Sequence, residues 1–166
     1  MEEVDERHVI ERTTEIVEKV VGHRPTGWLG VDSNESTRTP QLLAEAGYDY
    51  QLDWPNDDQP YMMTTDPTLV AVPNQMEWDD VNALWIRHVP NPRYPGLIGE
   101  AFRTLHAEGA KSGRLFSLPL HPWVVGQPHR VRYLAEALDD ICRLGDVWQT
   151  TAGEIAQYYR LQSQVP

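Results

Sequence analysis

The spacing of apolar residues predicts a helix near the start of the chain. In residues 9–21, apolar side chains recur three and four positions apart, which is the spacing of one helix face. Gly22 follows this stretch and is a suitable C-terminal stop. The face predicted to pack inward consists of Val9, Ile10, Thr13, Ile16, Val17 and Val20.

A second, shorter helix is predicted over residues 38–47, where the signals lie at its ends. Thr39 is a candidate cap, and Pro40 suits a first helical turn because its fixed φ is already helical. Gly47 is a typical C-terminal residue because it tolerates a left-handed backbone.

The second half of the chain contains further helical patterns. Residues 77–88 and about 96–110 are predicted to be helical, and TAGE at Thr151–Glu154 is a capping box that starts the last helix before the tail at residues 161–166. Residues 129–145 predict a helix whose inward face consists of Val131, Leu134, Leu138, Ile141 and Cys142 or Leu144.

Short apolar runs between these helices predict strands. They are residues 28–29, 48–52, 68–72, 114–120 and 146–150. Because helices and strands alternate, we predict an α/β fold with mostly parallel strands, formed by residues 1–166 as one domain.

Several polar residues lie just after or before these strands. Ligands of parallel α/β folds bind at the carboxyl ends of strands. Asp53 and Trp54 follow one strand, His121 follows another, and Arg24 precedes the first. A carboxylate beside an imidazole fixes the orientation of the ring, and such a histidine can protonate a leaving amine. Each of these residues also has a structural interpretation. Asp53 could form a turn, and Trp54 could belong to the core. Arg24 could form a surface ion pair, and His121 could be a hydrogen-bonded loop residue.

Charge and cysteine content exclude some classes of protein. With 14 Lys and Arg against 25 Asp and Glu, the net charge is −11, which disfavours binding to nucleic acid. Cys142 is the only cysteine, so neither an internal disulfide nor a thiolate-rich zinc site is expected. The sequence starts with acidic residues and contains no membrane-length apolar run, so we expect a cytoplasmic protein without membrane contact.

The motifs RPTGWLG, LLAEAGYDYQLDWPNDDQP, VAVP, LPLHPWVVGQPHR and TTAGEIA occur in this order over nearly the whole chain. This combination resembles the polysaccharide deacetylase superfamily, in its branch of metal-independent allantoinases and peptidoglycan-deacetylase-like proteins. The resemblance implies a distorted, incomplete β/α barrel, of which this chain would form the C-terminal half. It also implies hydrolysis of a non-peptide C–N bond in a sugar amide or a cyclic ureide.

The resemblance assigns roles to matched positions. Arg24 would hold the catalytic aspartate base, Asp53 would tune the histidine, and Trp54 would line the substrate groove. Leu120 would form a wall of the acyl pocket, and His121 would be the general acid. Apart from the roles that the resemblance implies, Trp28 and Trp123 are predicted to line, with Trp54, a groove for a carbohydrate or small-molecule substrate. No role transfers to His129, which is predicted to open the next helix.

Two family motifs do not occur in this sequence. The TFDDG-type motif supplies the base and a metal-ligand aspartate, and the HxxxH-type motif supplies two further metal ligands. The six histidines include no pair four residues apart, so no metal site is predicted in this chain. A divalent metal such as zinc would bind only if those N-terminal motifs were supplied.

Part of a barrel would expose strand edges and apolar faces. We therefore expect self-association or pairing with a separate N-terminal half. The isolated chain is expected to be inactive, because the base is missing. The alternatives are a non-catalytic subunit that binds a carbohydrate or a ureide, and a truncated gene fragment.

Overall fold

A computed structural model describes residues 2–163 and divides them into two compact units. The first unit contains residues 2–73 and 150–163, and the second contains Asn74–Gln149. The single domain stays a prediction. Of the predicted tail, residues 164–166 lie outside the described residues, whereas the preceding residues belong to the last helix.

The first unit contains a four-stranded sheet of short strands. Its strands are β1 (Gly27–Trp28), β2 (Tyr50–Gln51), β3 (Tyr61–Met62) and β4 (Val70–Ala71), in the order β1-β2-β4-β3. The β1–β2 and β2–β4 pairs are parallel, whereas β3 runs antiparallel to β4. The α/β class with mostly parallel strands is confirmed, and β3 was not predicted. The partial barrel stays a prediction.

Three helices belong to the first unit. They are α1 (Glu3–Val21), α2 (Thr39–Glu45) and α5 (Ala152–Ser163). Gly22 ends α1 with φ 87° and donates its N–H to the Glu18 carbonyl, as its C-terminal position predicts. The capping box before α5 is confirmed. The Thr151 N–H donates to the Glu154 carboxylate (3.1 Å), and the Glu154 N–H donates to Thr151 Oγ1 (3.3 Å).

The predicted cap of α2 is wrong by one residue. Arg38 is the capping residue and makes no side-chain capping bond, while Thr39 is the first residue of the helix. The Thr39 hydroxyl instead accepts the Ser36 N–H (2.9 Å) and donates to Glu6. This side chain therefore joins α2 to α1.

The predicted inward face of α1 is also wrong. Its buried residues are Glu6, Ile10 and Thr14, four positions apart, whereas most of the predicted apolar positions are exposed. The two polar members are buried because they have partners: Thr14 Oγ1 lies 2.7 Å from Tyr48 Oη, and Glu6 accepts from Ser36. The core of this unit consists of Ile10, Leu42, Leu43, Ala44, Tyr48 and Leu69.

The second unit is helical among its described residues. It contains a π-helical turn at Val81–Ile86, a short 3-10 turn at Asn91–Arg93, and the helices α3 (Tyr94–Gly109) and α4 (Val131–Ile141). The core between them consists of Ala83, Leu84, Tyr94, Ile98, Phe102, Val124, Val125, Ala137 and Ile141. In α4, Val131, Leu138 and Cys142 are exposed and Ala137 is buried, so the predicted face is only partly right.

Two predicted strands are wrong. Residues 114–120 and 146–150 pair with no strand in the part of the chain that is described. In residues 114–120, side chains make hydrogen bonds that a neighbouring strand would otherwise make. Gln75 Oε1 accepts both the N–H (3.2 Å) and the hydroxyl (2.8 Å) of Ser117, and Trp78 Nε1 donates to the Ser117 carbonyl (2.8 Å). Because side chains satisfy these groups, the apolar run packs without joining a sheet.

Candidate functional site

His121 lies at the start of a tight turn that follows the extended segment at residues 114–120. The Val124 N–H donates to the His121 carbonyl (2.8 Å), and the Gly126 N–H donates to the Pro122 carbonyl (3.1 Å). A Cβ at Gly126 would lie 2.4 Å from that carbonyl oxygen, so glycine allows the turn to close. The turn holds the backbone of His121, and Val124 and Val125 anchor it in the core.

Asp80 is the carboxylate that contacts His121. It is fully buried, and its Oδ1 lies 2.8 Å from Nδ1 of the imidazole. Its oxygens also accept the His121 N–H (2.9 and 3.1 Å) and the Val125 N–H (3.2 Å). Since Asp80 thus binds both the backbone and the ring of His121, it fixes the position and the orientation of the imidazole.

These contacts select one tautomer of the ring. An ionised carboxylate only accepts hydrogen bonds, so the proton between the two groups belongs to Nδ1 of His121. Nε2 is then the nitrogen available to a ligand. The His121 side chain is 41% exposed, so a ligand can reach it although its carboxylate partner is buried.

Tyr94 and a second acid, Asp79, are buried near Asp80. Tyr94 is fully buried and donates its hydroxyl to the Trp78 carbonyl (3.2 Å). Burial, together with the charges of Asp80 and Asp79, raises the pKa of Tyr94 above its ordinary value. Tyr94 is therefore neutral, and the neighbouring Asp79 bonds the Asn82 amide (2.8 Å).

Exposed aromatic and apolar side chains lie beside His121. The Trp123 ring is 5.9 Å from the imidazole and 5.6 Å from the Trp85 ring, with edge-on geometry in both pairs. Both tryptophans are more than half exposed, and Leu120 is 37% exposed. A planar or ring-shaped ligand could pack on these side chains while it contacts the imidazole.

In the first unit, Asp53 and Trp54 share a different set of partners. Asp53 is buried and accepts the Gly30 N–H with both oxygens (2.8 and 3.1 Å). The Trp54 indole donates to Glu35 Oε2 (2.6 Å). Burial raises the pKa of Glu35 to about 8, and the nearby Asp53 carboxylate adds to this effect.

The other predicted residues of the first unit have structural partners. Arg24 is exposed and donates to the Ala46 carbonyl at the end of α2. Trp28 is half-buried, and its ring packs edge-on against Tyr48 at 5.4 Å. Their roles toward a catalytic base and a substrate stay predictions.

The structure therefore brings the predicted residues together in two separate groups. Leu120, His121 and Trp123 are neighbours in the second unit, and Asp53 and Trp54 are neighbours in the first. Sequence reasoning missed Asp80 and Glu35. For Asp80 a signal existed, because two consecutive acids precede an apolar helical run; Glu35 has no such signal.

No three His, Cys, Asp or Glu side chains converge as metal ligands within residues 2–163. The described residues therefore offer no set that fits a divalent metal. Among the described helices, none combines the length and the apolar content that crossing a bilayer requires.

Similarity to known proteins is found in structure and not in sequence. No protein-family profile and no curated protein matches the chain. PuuE allantoinase and a protein from Pseudomonas aeruginosa PAO1 assigned to the polysaccharide deacetylases each match with a TM-score of 0.90 and 24% identity, over 100% of this chain and 56% of theirs. A protein from Mycobacterium smegmatis with the same assignment matches with a TM-score of 0.80 and 29% identity, over 99% of this chain and 59% of its own.

The chain thus spans a little more than half the length of these solved proteins. It shares their fold over nearly all of its own residues. The resemblance to the polysaccharide deacetylases is thus confirmed at the level of the fold.

Proposed function

We propose that this chain supplies the general acid of a hydrolase that cleaves non-peptide C–N bonds. His121 is the acid, and Asp80 positions it. The substrate class is an N-acylated sugar or a cyclic ureide, in keeping with the deacetylases and the allantoinase that share the fold.

The proposed reaction is hydrolysis of an amide-type bond. Water adds through its oxygen to the carbonyl carbon, and its proton passes to a carboxylate base, which the resemblance places in the TFDDG-type motif. The C–N bond then breaks, and the nitrogen takes the proton from Nε2 of His121. The products are a carboxylic acid and an amine, or an opened ureide.

The single observation that supports this proposal most is the bond between Asp80 and Nδ1 of His121. A carboxylate on Nδ1 fixes the orientation of the ring and leaves Nε2 as the nitrogen that can carry a proton to a leaving group. The buried position of Asp80 and its two backbone donors keep this geometry fixed. A histidine with a merely structural role would not need a half-exposed ring beside a fully buried carboxylate.

The exposed side chains around the imidazole suit either substrate class. We propose that Trp123 and Leu120 contact the substrate and that Trp85, in edge contact with Trp123, supports this surface. Arg24, Trp28 and Trp54 keep their predicted roles, as proposals, whereas we propose that Asp80 takes the role toward His121 that was predicted for Asp53.

The test is an assay of hydrolysis. The chain is mixed with acetylated chitooligomers or allantoin, alone and together with the remaining segment of a solved deacetylase supplied as a separate chain. We expect turnover in the mixture, a loss of about a hundredfold or more in His121→Ala, and full activity in His129→Ala, which alters the other histidine of the same loop. An unchanged rate in His121→Ala, or no turnover in any mixture, would overturn the proposal.

A second candidate function is binding without cleavage. It is favoured by the exposed tryptophans beside the imidazole. Calorimetry with the same two ligands tests it. Binding without turnover in every mixture would support this candidate, and Trp123→Ala should then abolish the heat signal.

A further inference from the structure

The Asp80–His121 pair joins two pieces of chain that no sheet holds together. Asp80 immediately precedes the π-helical turn at Val81–Ile86, and His121 follows the extended residues 114–120, which pair with no strand in the described part of the chain. The two residues are 41 positions apart in the sequence. Ladder hydrogen bonds therefore do not set the distance between the carboxylate and the imidazole, and other contacts must do so.

Trp78 forms a bond between these two pieces of chain, close to the pair. Its indole N–H donates to the Ser117 carbonyl (2.8 Å). Trp78 lies two residues before Asp80, and Ser117 lies four residues before His121. Only a short stretch of backbone thus separates the indole bond from the bonds between Asp80 and His121. Because two cross-links so near each other leave the intervening backbone little freedom, the indole bond restricts where the carboxylate meets the ring.

The ring and the carbonyl of Trp78 are themselves held in the second unit. The indole stacks on the Phe116 ring, with centroids 5.4 Å apart and planes 7° from parallel. Phe116 packs edge-on against the buried Phe102 of α3 at 5.1 Å. The Trp78 carbonyl accepts the hydroxyl of Tyr94, which is fully buried. Since both its ring and its backbone are held, the indole N–H is directed at one carbonyl.

Gln75 binds the same serine and provides a contrast. Its Oε1 accepts the N–H (3.2 Å) and the hydroxyl (2.8 Å) of Ser117, and its own N–H donates to Ser117 Oγ (2.8 Å). Gln75 lies five residues before Asp80, however, and Trp78 stands between them in the sequence. Loss of the Gln75 bonds should therefore loosen the extended segment without moving the carboxylate, as long as the indole bond remains.

We propose that Trp78 is a positioning residue that acts through Asp80 on the imidazole of His121. Its bond keeps Nδ1 of the ring against the carboxylate and so leaves Nε2 available to a ligand. When the indole bond is lost, Asp80 can keep its two backbone donors and yet shift relative to the ring, so that Nδ1 loses its fixed acceptor. The importance of Trp78 for hydrolysis rests on the proposed function, but its effect on the ring does not.

Long-range proton–nitrogen NMR of the His121 ring tests this role. Trp78→Phe keeps an aromatic ring for Phe116 but removes the N–H. We expect the neutral imidazole, protonated on Nδ1 in the native chain, to become a mixture in which the Nε2 tautomer rises about fivefold, as one hydrogen bond weakens. Trp148→Phe, which alters an exposed tryptophan of the same unit, should keep the native tautomer. A folded Trp78→Phe chain with the native tautomer would overturn the proposal.

Gln75→Leu separates positioning from stability. Gln75→Leu and Trp78→Phe each leave a polar group of Ser117 without its partner, so both should lower the midpoint of urea unfolding. Of the two, only Trp78→Phe should change the His121 tautomer, and an equal change in both variants would contradict the proposal. Phe116→Leu removes the ring on which the indole stacks and should change the tautomer in the same direction, which gives the same test if Trp78→Phe does not fold.

Kinetics give a second readout in the active mixture of the proposed function. Trp78→Phe should lower kcat about tenfold and leave KM unchanged, because Trp78 holds the acid and does not touch the substrate. A raised KM with an unchanged kcat would overturn the role. The tautomer change without turnover in any mixture would refute the hydrolase and leave the role of Trp78 standing. Turnover together with a native tautomer in Trp78→Phe would do the reverse.

Discussion

Two buried aspartates, one in each unit, show how neighbours decide the chemistry of the same side chain. Asp80 and Asp53 both accept backbone N–H groups near the end of an apolar segment. Asp80 bonds an imidazole, which gains a fixed orientation and a partner for its charge. Asp53 instead lies near a second acid, Glu35, whose pKa is raised to about 8 by burial, with Asp53 adding to the effect. The DW motif in the sequence indicates Asp53, whereas in the structure the histidine bonds Asp80.

The largest expected effect is a difference in stability between the variants that lack one or the other aspartate. Asp80→Ala leaves the buried Val125 N–H and the His121 N–H without an acceptor, so we expect a loss of about 4 kcal/mol in unfolding free energy. Asp53→Ala removes the acceptor of one N–H but also relieves Glu35, so we expect about 1 kcal/mol. Urea unfolding measures both, with Asp139→Ala on the exposed face of α4 as the control near zero. Equal losses for Asp80 and Asp53 would refute the difference.

Substitution of two glycines near these aspartates should also cost different amounts of stability, with the larger loss in the second unit. A Cβ at Gly126 would meet the Pro122 carbonyl at 2.4 Å, whereas one at Gly30 would meet Asn34 and Asp53 oxygens at 3.2 Å. We expect Gly126→Ala to cost about 2 kcal/mol and Gly30→Ala about 1 kcal/mol. Gly96→Ala, at an open position in α3, should be neutral or slightly stabilising. Thermal unfolding measures the series, and a Gly126→Ala variant as stable as Gly96→Ala would contradict the turn described here.

A smaller effect concerns pH and the Glu35 carboxyl. Its folded pKa of about 8 exceeds the ordinary 4.5, so between these values the folded chain holds a proton that the unfolded chain has released. Raising the pH through this window therefore lowers the stability of the native chain relative to Glu35→Gln. Because Glu35 is partly exposed, we expect the Tm difference to change by only about 3 °C. Parallel Tm curves for the two chains would show that Glu35 is ionised throughout.

The helices and the α/β class were accessible from the sequence because their signals are local. The Gly22 stop and the Thr151–Glu154 capping box depend on residues within one turn, and both are confirmed. The inward face of α1 was not accessible, because Glu6 and Thr14 are buried by bonds to α2 and Tyr48 rather than by their own apolarity. The segment at residues 114–120 has the composition of a strand, but Gln75 and Trp78 satisfy its polar groups from a distance.

The candidate site was also only partly predictable from the sequence. Leu120, His121 and Trp123 are adjacent in sequence, so one loop motif sufficed to group them. The partner of His121 lies 41 residues earlier, in a segment whose pattern indicated only a helix. Glu35 and Asp53 belong to separate loops, and Glu35 contacts the DW motif through the Trp54 indole. Contacts of this kind depend on tertiary structure and produce no periodic pattern in the sequence.

The tautomer of His121 tests the central claim most directly. Long-range proton–nitrogen NMR of the ring should show the proton on Nδ1 in the neutral imidazole of the native chain. In Asp80→Asn, the amide oxygen should stay with the two backbone N–H groups, which turns the amide nitrogen toward Nδ1 and moves the ring proton to Nε2. A native chain with its neutral ring protonated on Nε2 would contradict the Asp80–His121 pair, and with it the proposed acid.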